Sequence, residues 1–364
     1  MLNRVVFSPD IFEAQRYGGV SRYFVELAQE LKSFEDFEVE VSTGVHINSY
    51  LRNSSVNSGI YLPFSPARLK ISSAISSLNR SYSRSLTQKK FFDIRHETFY
   101  RGGVESLKAR KSVTTVYDLI REKFTPNWPG FAAKQLALSR SDAVICISRT
   151  TANDLQNFYK VDPSKISVVY LGVSDRFSGQ GKSKIRKDDR EQLVYIGGRD
   201  GYKDFKTLIF AFSQSNFLRK NFRVLVFGAK FTTEEVKLMH SHKVFGCFIH
   251  TNGGEDALIT AYRHSLGLVI TSTYEGFGLT VLEAMMAGCT VISTGGGSLG
   301  EIAEGFDLRF KPSNPESLAE TIKWLLHKHH SLQDLKNRAL THAQGFTWTK
   351  TAENTLAVYK QLIN

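Results

Sequence analysis

Cysteine is scarce: the chain of 364 residues has three, Cys146, Cys247 and Cys289. They lie far apart in apolar surroundings, without the close spacing that gathers a metal. They are expected as buried free thiols in a reducing compartment. Long apolar runs are also missing, and none approaches the roughly 20 residues that a membrane-spanning helix needs. The stretch Met1-Leu2-Asn3-Arg4-Val5-Val6-Phe7 has the pattern of a first strand and not of a secretory leader, so a cytoplasmic location is expected. No Gly-x-Gly-x-x-Gly follows that strand, which argues against a dinucleotide-dependent oxidoreductase. Acidic residues are in deficit, 35 against 47 Lys and Arg, for a net charge of +12. The imbalance is local. Residues 1–50 hold four basic and eight acidic residues, and residues 51–150 hold seventeen and six. Such an excess suits an anionic partner (a membrane surface, a lipid-linked phosphate or nucleic acid) or is simply a solvated basic face.

What is present is enough for two packed cores, with 41% hydrophobic residues in a length that suits two domains. The densest signal is residues 271–301. A β-prone run, Leu268 to Thr273, leads into Glu275-Gly276-Phe277-Gly278, and a helix-favouring run follows from Leu279 to Ala287. Gly288 stops it, and a second β-branched run, Cys289 to Thr294, ends in Gly295-Gly296-Gly297. This is a βαβ unit with both loops at the carboxyl ends of strands, the edge where doubly wound sheets bind ligands. Gly276 and Gly278 permit close backbone approach, and the following helix offers N–H groups and a positive dipole end, which suits phosphate. Glu275 and Glu283 frame the loop. Thr280-x-x-Glu283 can equally be a capping box.

Before this unit the same alternation recurs. Residues 3–8 and 37–42 are expected as strands, with Gly18-Gly19 opening a helix over 20–31, where Val20, Phe24, Leu27, Ala28 and Leu31 share a face. In the serine-rich stretch 48–90, Leu69, Ile71, Ile75, Leu78 and Tyr82 interleave with Arg68, Lys70, Arg80 and Arg84. That pattern fits a basic amphipathic helix on anionic lipid, or a helix packed on its own domain with its basic residues outward. His96, Tyr117 with Asp118, and Ser148 each follow a strand-like run and so fall at a ligand-binding edge. The alternatives are a surface histidine at position 96 and helix caps at Asp118 and Ser148. Polar residues 173–192 read as a linker. A second β-α-β series follows: strand 192–196, Gly197-Gly198-Arg199, helix 206–212, strand 222–227, strand 244–250 and helix 255–264. Arg199 and Lys203, beside a glycine pair after a strand, can neutralise a diphosphate or be ordinary surface charge. His327 to His330 ends an amphipathic helix and reads as surface rather than metal-binding.

Glu275, seven residues and Glu283, with Gly-Phe-Gly-Leu-Thr between and Glu-Ala-Met-x-x-Gly after, resembles the signature of retaining GT-B glycosyltransferases of family 4. Tyr-Gly-Gly-Val-Ser-Arg-Tyr-Phe, from Tyr17, looks like an element of mannosyltransferases of bacterial surface-polysaccharide synthesis. The resemblance implies an α/β fold of two Rossmann-like parallel-sheet domains facing across a cleft. Residues 1–172 would form an acceptor domain, 173–192 a linker, 193–345 a nucleotide-sugar domain, and 346–364 a helix crossing back. It implies that Glu275 sits by the donor sugar and Glu283 holds the ribose. Gly18, Gly19, Gly198, Gly276, Phe277, Gly278, Leu279 and Thr280 would line the donor, and Arg199 and Lys203 would bind its phosphates. The family's Arg-Lys-Asn run appears here as Tyr202-Lys203-Asp204, which leaves more to Arg199. Asp118 is the candidate for positioning the sugar or acceptor, with His96, Tyr117 and Ser148 on acceptor-side loops. Many relatives carry histidine where this chain has Tyr117 or Asp118.

No Asp-x-Asp triplet occurs, so no metal cofactor is expected, and fixed positive charge would stabilise the leaving diphosphate. The implied reaction moves a hexose, mannose from GDP-mannose, onto a glycan or lipid-linked acceptor, with peripheral attachment to an anionic membrane as a further expectation. A UDP- or dTDP-sugar donor and a non-catalytic sugar-nucleotide or glycan-binding protein are the alternatives. A nucleic-acid partner is not expected, because no recognised module for one is present.

Overall fold

The computed structural model describes residues 3–57, 59–64, 72–100, 107–179, 190–327 and 329–363, without the side chains of 327, 329 and 330. Two compact units divide the chain. One combines Met1–Gly172 with Trp348–Asn364, and the other is Val173–Thr347.

The first unit is built on strands β1 (Asn3–Phe7), β2 (Phe37–Val41), β5 (Ile94–Glu97), β6 (Lys111–Val116), β7 (Ala143–Cys146) and β8 (Ile166–Val168), with a small pair β3 (Val45–His46) and β4 (Ile60–Tyr61) beside them. The main sheet runs β2-β1-β5-β6-β7-β8, parallel throughout. Val5 is level with Val39 on one side and Ile94 on the other. All four residues of β7 are buried, as expected of a parallel strand covered on both faces. The carboxy-terminal helix Trp348–Ile363 belongs to this unit. Its buried Tyr359 hydroxyl lies 2.6 Å from His96 Nδ1, and its Thr351 hydroxyl donates to the Tyr170 carbonyl at 2.9 Å.

The second unit holds β9 (Glu191–Ile196), β10 (Phe222–Phe227), β11 (Phe248–Thr251), β12 (Gly267–Ile270), β13 (Thr290–Ser293) and β14 (Leu308–Arg309). Their order is β11-β10-β9-β12-β13-β14, again parallel, which is the doubly wound order of dinucleotide-binding folds. The order reverses direction beside β9 and β12, so the loops after these two strands open into one crevice. Leu193, Val224 and Phe248 from the strands meet Phe205, Leu208, Phe212 and Ile322 from the helices in the core. Each such side chain contributes about 1.5–3 kcal/mol when fully buried.

Two expectations change, and a third reading is narrowed. The strand expected over 244–250 starts later, because Phe245–Cys247 forms a tight 3-10 turn ahead of β11. The polar stretch 173–192 is a connector only in part. Phe177 is fully buried, the Val173 N–H donates to the Phe346 carbonyl at 3.0 Å, and Arg176 pairs with Asp256 at 2.8 Å, so its start is anchored in the second unit. Residues 180–189 lie outside the described residues. The basic helix spans Ser72–Lys89 and packs on its own domain with Arg80, Arg84 and Lys89 outward, as one of its two readings had it, through a mostly polar face of Ile75, Asn79 and Ser83. Asn79 alone makes four hydrogen bonds, at 2.7–2.8 Å, to Glu13, Gly44 and Val45. Leu78 and Tyr82 are instead 59% and 38% exposed. Arg68, Leu69, Lys70 and Ile71 lie outside the described residues, as do Lys328 and the side chains of His327, His329 and His330. Among the described residues, no helix is long and apolar enough to cross a membrane.

Candidate active site

In the second unit the loops after β9, β12 and β13 are tied to one another by backbone. The Thr273 N–H donates to the Tyr202 carbonyl at 2.8 Å, and the Thr271 hydroxyl donates to the Lys203 carbonyl at 2.6 Å. These bonds hold the short turn Gly201–Lys203 against the end of β12. On the other side, the Ser298 N–H and hydroxyl both donate to the Glu275 carbonyl, at 3.0 and 2.9 Å. Two of the three glycines at 295–297 make that approach possible. A Cβ on Gly296 would lie 2.1 Å from the Thr273 carbonyl oxygen, and one on Gly297, at φ +65°, 2.4 Å from that of Glu275. Only glycine tolerates both demands.

This clamp sets two side chains face to face. Lys203 Nζ lies 2.7 Å from Glu275 Oε1, with the side chains 22% and 17% exposed. Burial alone would lower the Lys203 pKa, but the Glu275 carboxylate outweighs it and the pKa is raised. Both residues line a cavity of about 180 Å³ with Tyr195, Gly197, Ser272, Gly278, Leu279 and Thr280. The helix Leu279–Met286 begins at this cavity from Gly278, at φ +102°, with no side-chain cap. Thr280 therefore lies inside the helix, and the capping box expected as one reading of Thr280 and Glu283 is not formed. Glu283 is buried one turn further in. Gly276 and Phe277 are buried too, and the Phe277 ring meets Phe346 edge-on at 6.3 Å. Gly198 is exposed, and its carbonyl accepts from the Tyr195 hydroxyl at 2.8 Å.

Arg199 departs from the expectation of an open phosphate ligand. Its side chain is 5% exposed and grips Glu235 with two nitrogens, Nε at 2.6 Å and Nη2 at 3.0 Å. It also donates to the Ala229 and Lys230 carbonyls at 2.8 Å each. Glu235 completes a capping box with Thr232. Arg199 thus ties the loop after β9 to the loop after β10, and its donors are largely spent on the protein.

In the first unit, Gly18 precedes the helix Gly19–Leu31 in an extended conformation, with the Gln15 side chain folded over it, while the space beside Gly19 is open. His96 is a core residue rather than a surface or cleft one. It is fully buried, its Nε2 lies 2.7 Å from the Thr115 hydroxyl, and burial lowers its pKa to about 3, so the ring is neutral. Ser148 caps the helix Arg149–Tyr159, accepting from the Thr151 N–H at 3.0 Å. Tyr117 is buried, and its hydroxyl has no hydrogen-bond partner among the described residues. Asp118 stands half-buried at the end of β6 and accepts from the Ile120 N–H at 3.0 Å. Beneath it is a group that sequence reasoning missed. The buried Lys134 ammonium donates to the Asp118 carbonyl at 3.0 Å and pairs with Glu122 at 2.7 Å. An isolated lysine in an apolar helix gave no signal of this. Tyr195, Gly197 and Ser272 were also missed, though Gly197 was half of a visible glycine pair.

Two family models match the chain: "Glycosyltransferase Family 4" over residues 17–177 and "Glycosyl transferases group 1" over 180–342. The serotype-specific mannosyltransferase WbdA of Escherichia coli is 24% identical over 278 residues, which cover 70% of this chain and 34% of that protein. The chain thus spans about a third of the length of that relative. An uncharacterized glycosyltransferase of Methanocaldococcus jannaschii is 26% identical over 377 residues, covering 100% of this chain and 99% of that one. Among solved structures, the Anabaena protein HepE in complex with UDP and glucose is similar with a TM-score of 0.78 at 14% identity, covering 99% of this chain and 100% of that one. At that identity the likeness is one of fold.

Proposed function

We propose, from the premise that the chain belongs to the family 4 glycosyltransferases and has the GT-B fold, that it transfers a hexose from a nucleotide sugar to a glycan or lipid-linked acceptor with retention of configuration. The observation that carries this reading is the cavity where Lys203 and Glu275 meet the uncapped start of the helix Leu279–Met286. A cation and a row of helix N–H groups converging on one small space suit a diphosphate. A carboxylate beside them suits sugar hydroxyls, which donate to it.

In the proposed reaction the bond from the anomeric carbon to the phosphate oxygen breaks, and a bond to the acceptor oxygen forms on the same face. The acceptor's proton passes to the departing phosphate oxygen. Lys203 and the helix N–H groups stabilise the charge gathering on the diphosphate, so the chemistry needs no metal ion. Glu275 orients the hexose and Glu283 holds the ribose, and Asp118, in the first unit, is assigned to the acceptor. The mannosyltransferase among the relatives favours mannose, and GDP-mannose is the donor we assign. The test is turnover of GDP-mannose, UDP-glucose and dTDP-glucose by the purified protein with a mannoside acceptor, with and without EDTA, reading the product's anomeric configuration by NMR. Retention with GDP-mannose in EDTA is expected. Inversion, or activity that EDTA abolishes and Mg²⁺ restores, overturns the mechanism.

A further inference from the structure

Lys203 and Glu275 are partners of each other, 2.7 Å apart. Their loops are tied on both sides, Lys203 through Thr271, its neighbour Tyr202 through Thr273, and Glu275 through Ser298. An anion that enters the cavity therefore meets a lysine already paired with a carboxylate, on a loop whose backbone is hydrogen-bonded to Ser298.

We infer that Glu275 is a built-in competitor for anions at Lys203, and that this makes the cavity selective for a phosphate that arrives with sugar hydroxyls over a bare nucleoside diphosphate. The inference rests on reading this cavity as the donor site. A bare diphosphate takes the ammonium and leaves the partly buried carboxylate facing a like charge, without a hydrogen-bond donor from the ligand. Such a group costs free energy. A nucleotide sugar takes the same ammonium but offers hydroxyl groups that donate to the carboxylate. Selectivity here comes as much from penalising the wrong ligand as from rewarding the right one. The consequence for turnover is release of the nucleoside diphosphate once the hexose has gone.

Calorimetric titration with GDP, GDP-mannose, UDP and UDP-glucose tests this in the wild type and in Glu275→Gln, with Glu275→Ala as a second variant should the first fail to fold. The wild type is expected to bind a nucleotide sugar more tightly than its diphosphate. Removing the carboxylate's charge should tighten the diphosphate on the order of three- to tenfold and weaken the sugar nucleotide. A folded variant whose diphosphate affinity equals or falls below that of the wild type overturns the inference and leaves the donor-site reading standing. A wild type that binds none of the four nucleotides overturns both.

Discussion

Arg199 spends its guanidinium on the protein. With both Glu235 oxygens and two carbonyls satisfied, it holds two loops together. Arg199→Ala should therefore lower stability on the order of 2–3 kcal/mol, since it strips a largely buried carboxylate and two carbonyls of a charged donor. Urea unfolding followed by circular dichroism measures this. An unchanged midpoint with lost nucleotide affinity would instead return Arg199 to the role of phosphate ligand. The sequence shows why such residues mislead. A Gly-Arg after a strand looks the same whether the guanidinium faces a ligand or a glutamate 36 positions away. Ser148 and His96 are similar. Both fall at strand ends, but the hydroxyl caps a helix, and the imidazole is shared between Thr115 and Tyr359 in the core. Local pattern locates a side chain along the chain, while its partners are set by tertiary contacts.

At the scale of elements, the glycine loops were the most legible parts, because their backbone demands leave few residue choices. The strand, loop and helix from Gly267 to Met286 follow the order read in the sequence, and Gly278 starts the helix. The basic helix Ser72–Lys89 was harder to read. Its pattern left open whether it packs on its own domain or lies on lipid, and the buried positions are Ile75, Asn79 and Ser83, the last two joined to the protein by hydrogen bonds. That leaves an outer face with Leu78, Tyr82 and Lys89 exposed along one edge and Arg80 and Arg84 along the other. We propose that this face attaches to anionic membrane, where each Lys or Arg near the surface contributes about 1 kcal/mol, screened within about a Debye length. Co-sedimentation should show binding to anionic vesicles, little to neutral ones, and loss at high salt. Leu78→Asp should weaken binding without shifting the melting temperature. Equal, negligible binding to both kinds of vesicle would make the face an ordinary solvated one.

For the whole molecule, alternation of strands and helices predicted parallel sheets, and both main sheets are parallel, because a strand followed by a helix returns to the same edge of the sheet. What alternation could not supply was the pairing of charges across loops. Lys203 and Glu275 are 72 positions apart, and Lys134 reaches back to Glu122 from a different helix. The proposed function rests on one place where fold and charge coincide, the cavity at Lys203. The most direct measurement is calorimetric titration of GDP-mannose into the wild type and Lys203→Ala, with circular dichroism confirming that both are folded. Saturable binding to the wild type is predicted, with an affinity lower by about tenfold or more, roughly 1.4 kcal/mol, in the variant. A folded Lys203→Ala that binds the donor as tightly as the wild type would contradict it.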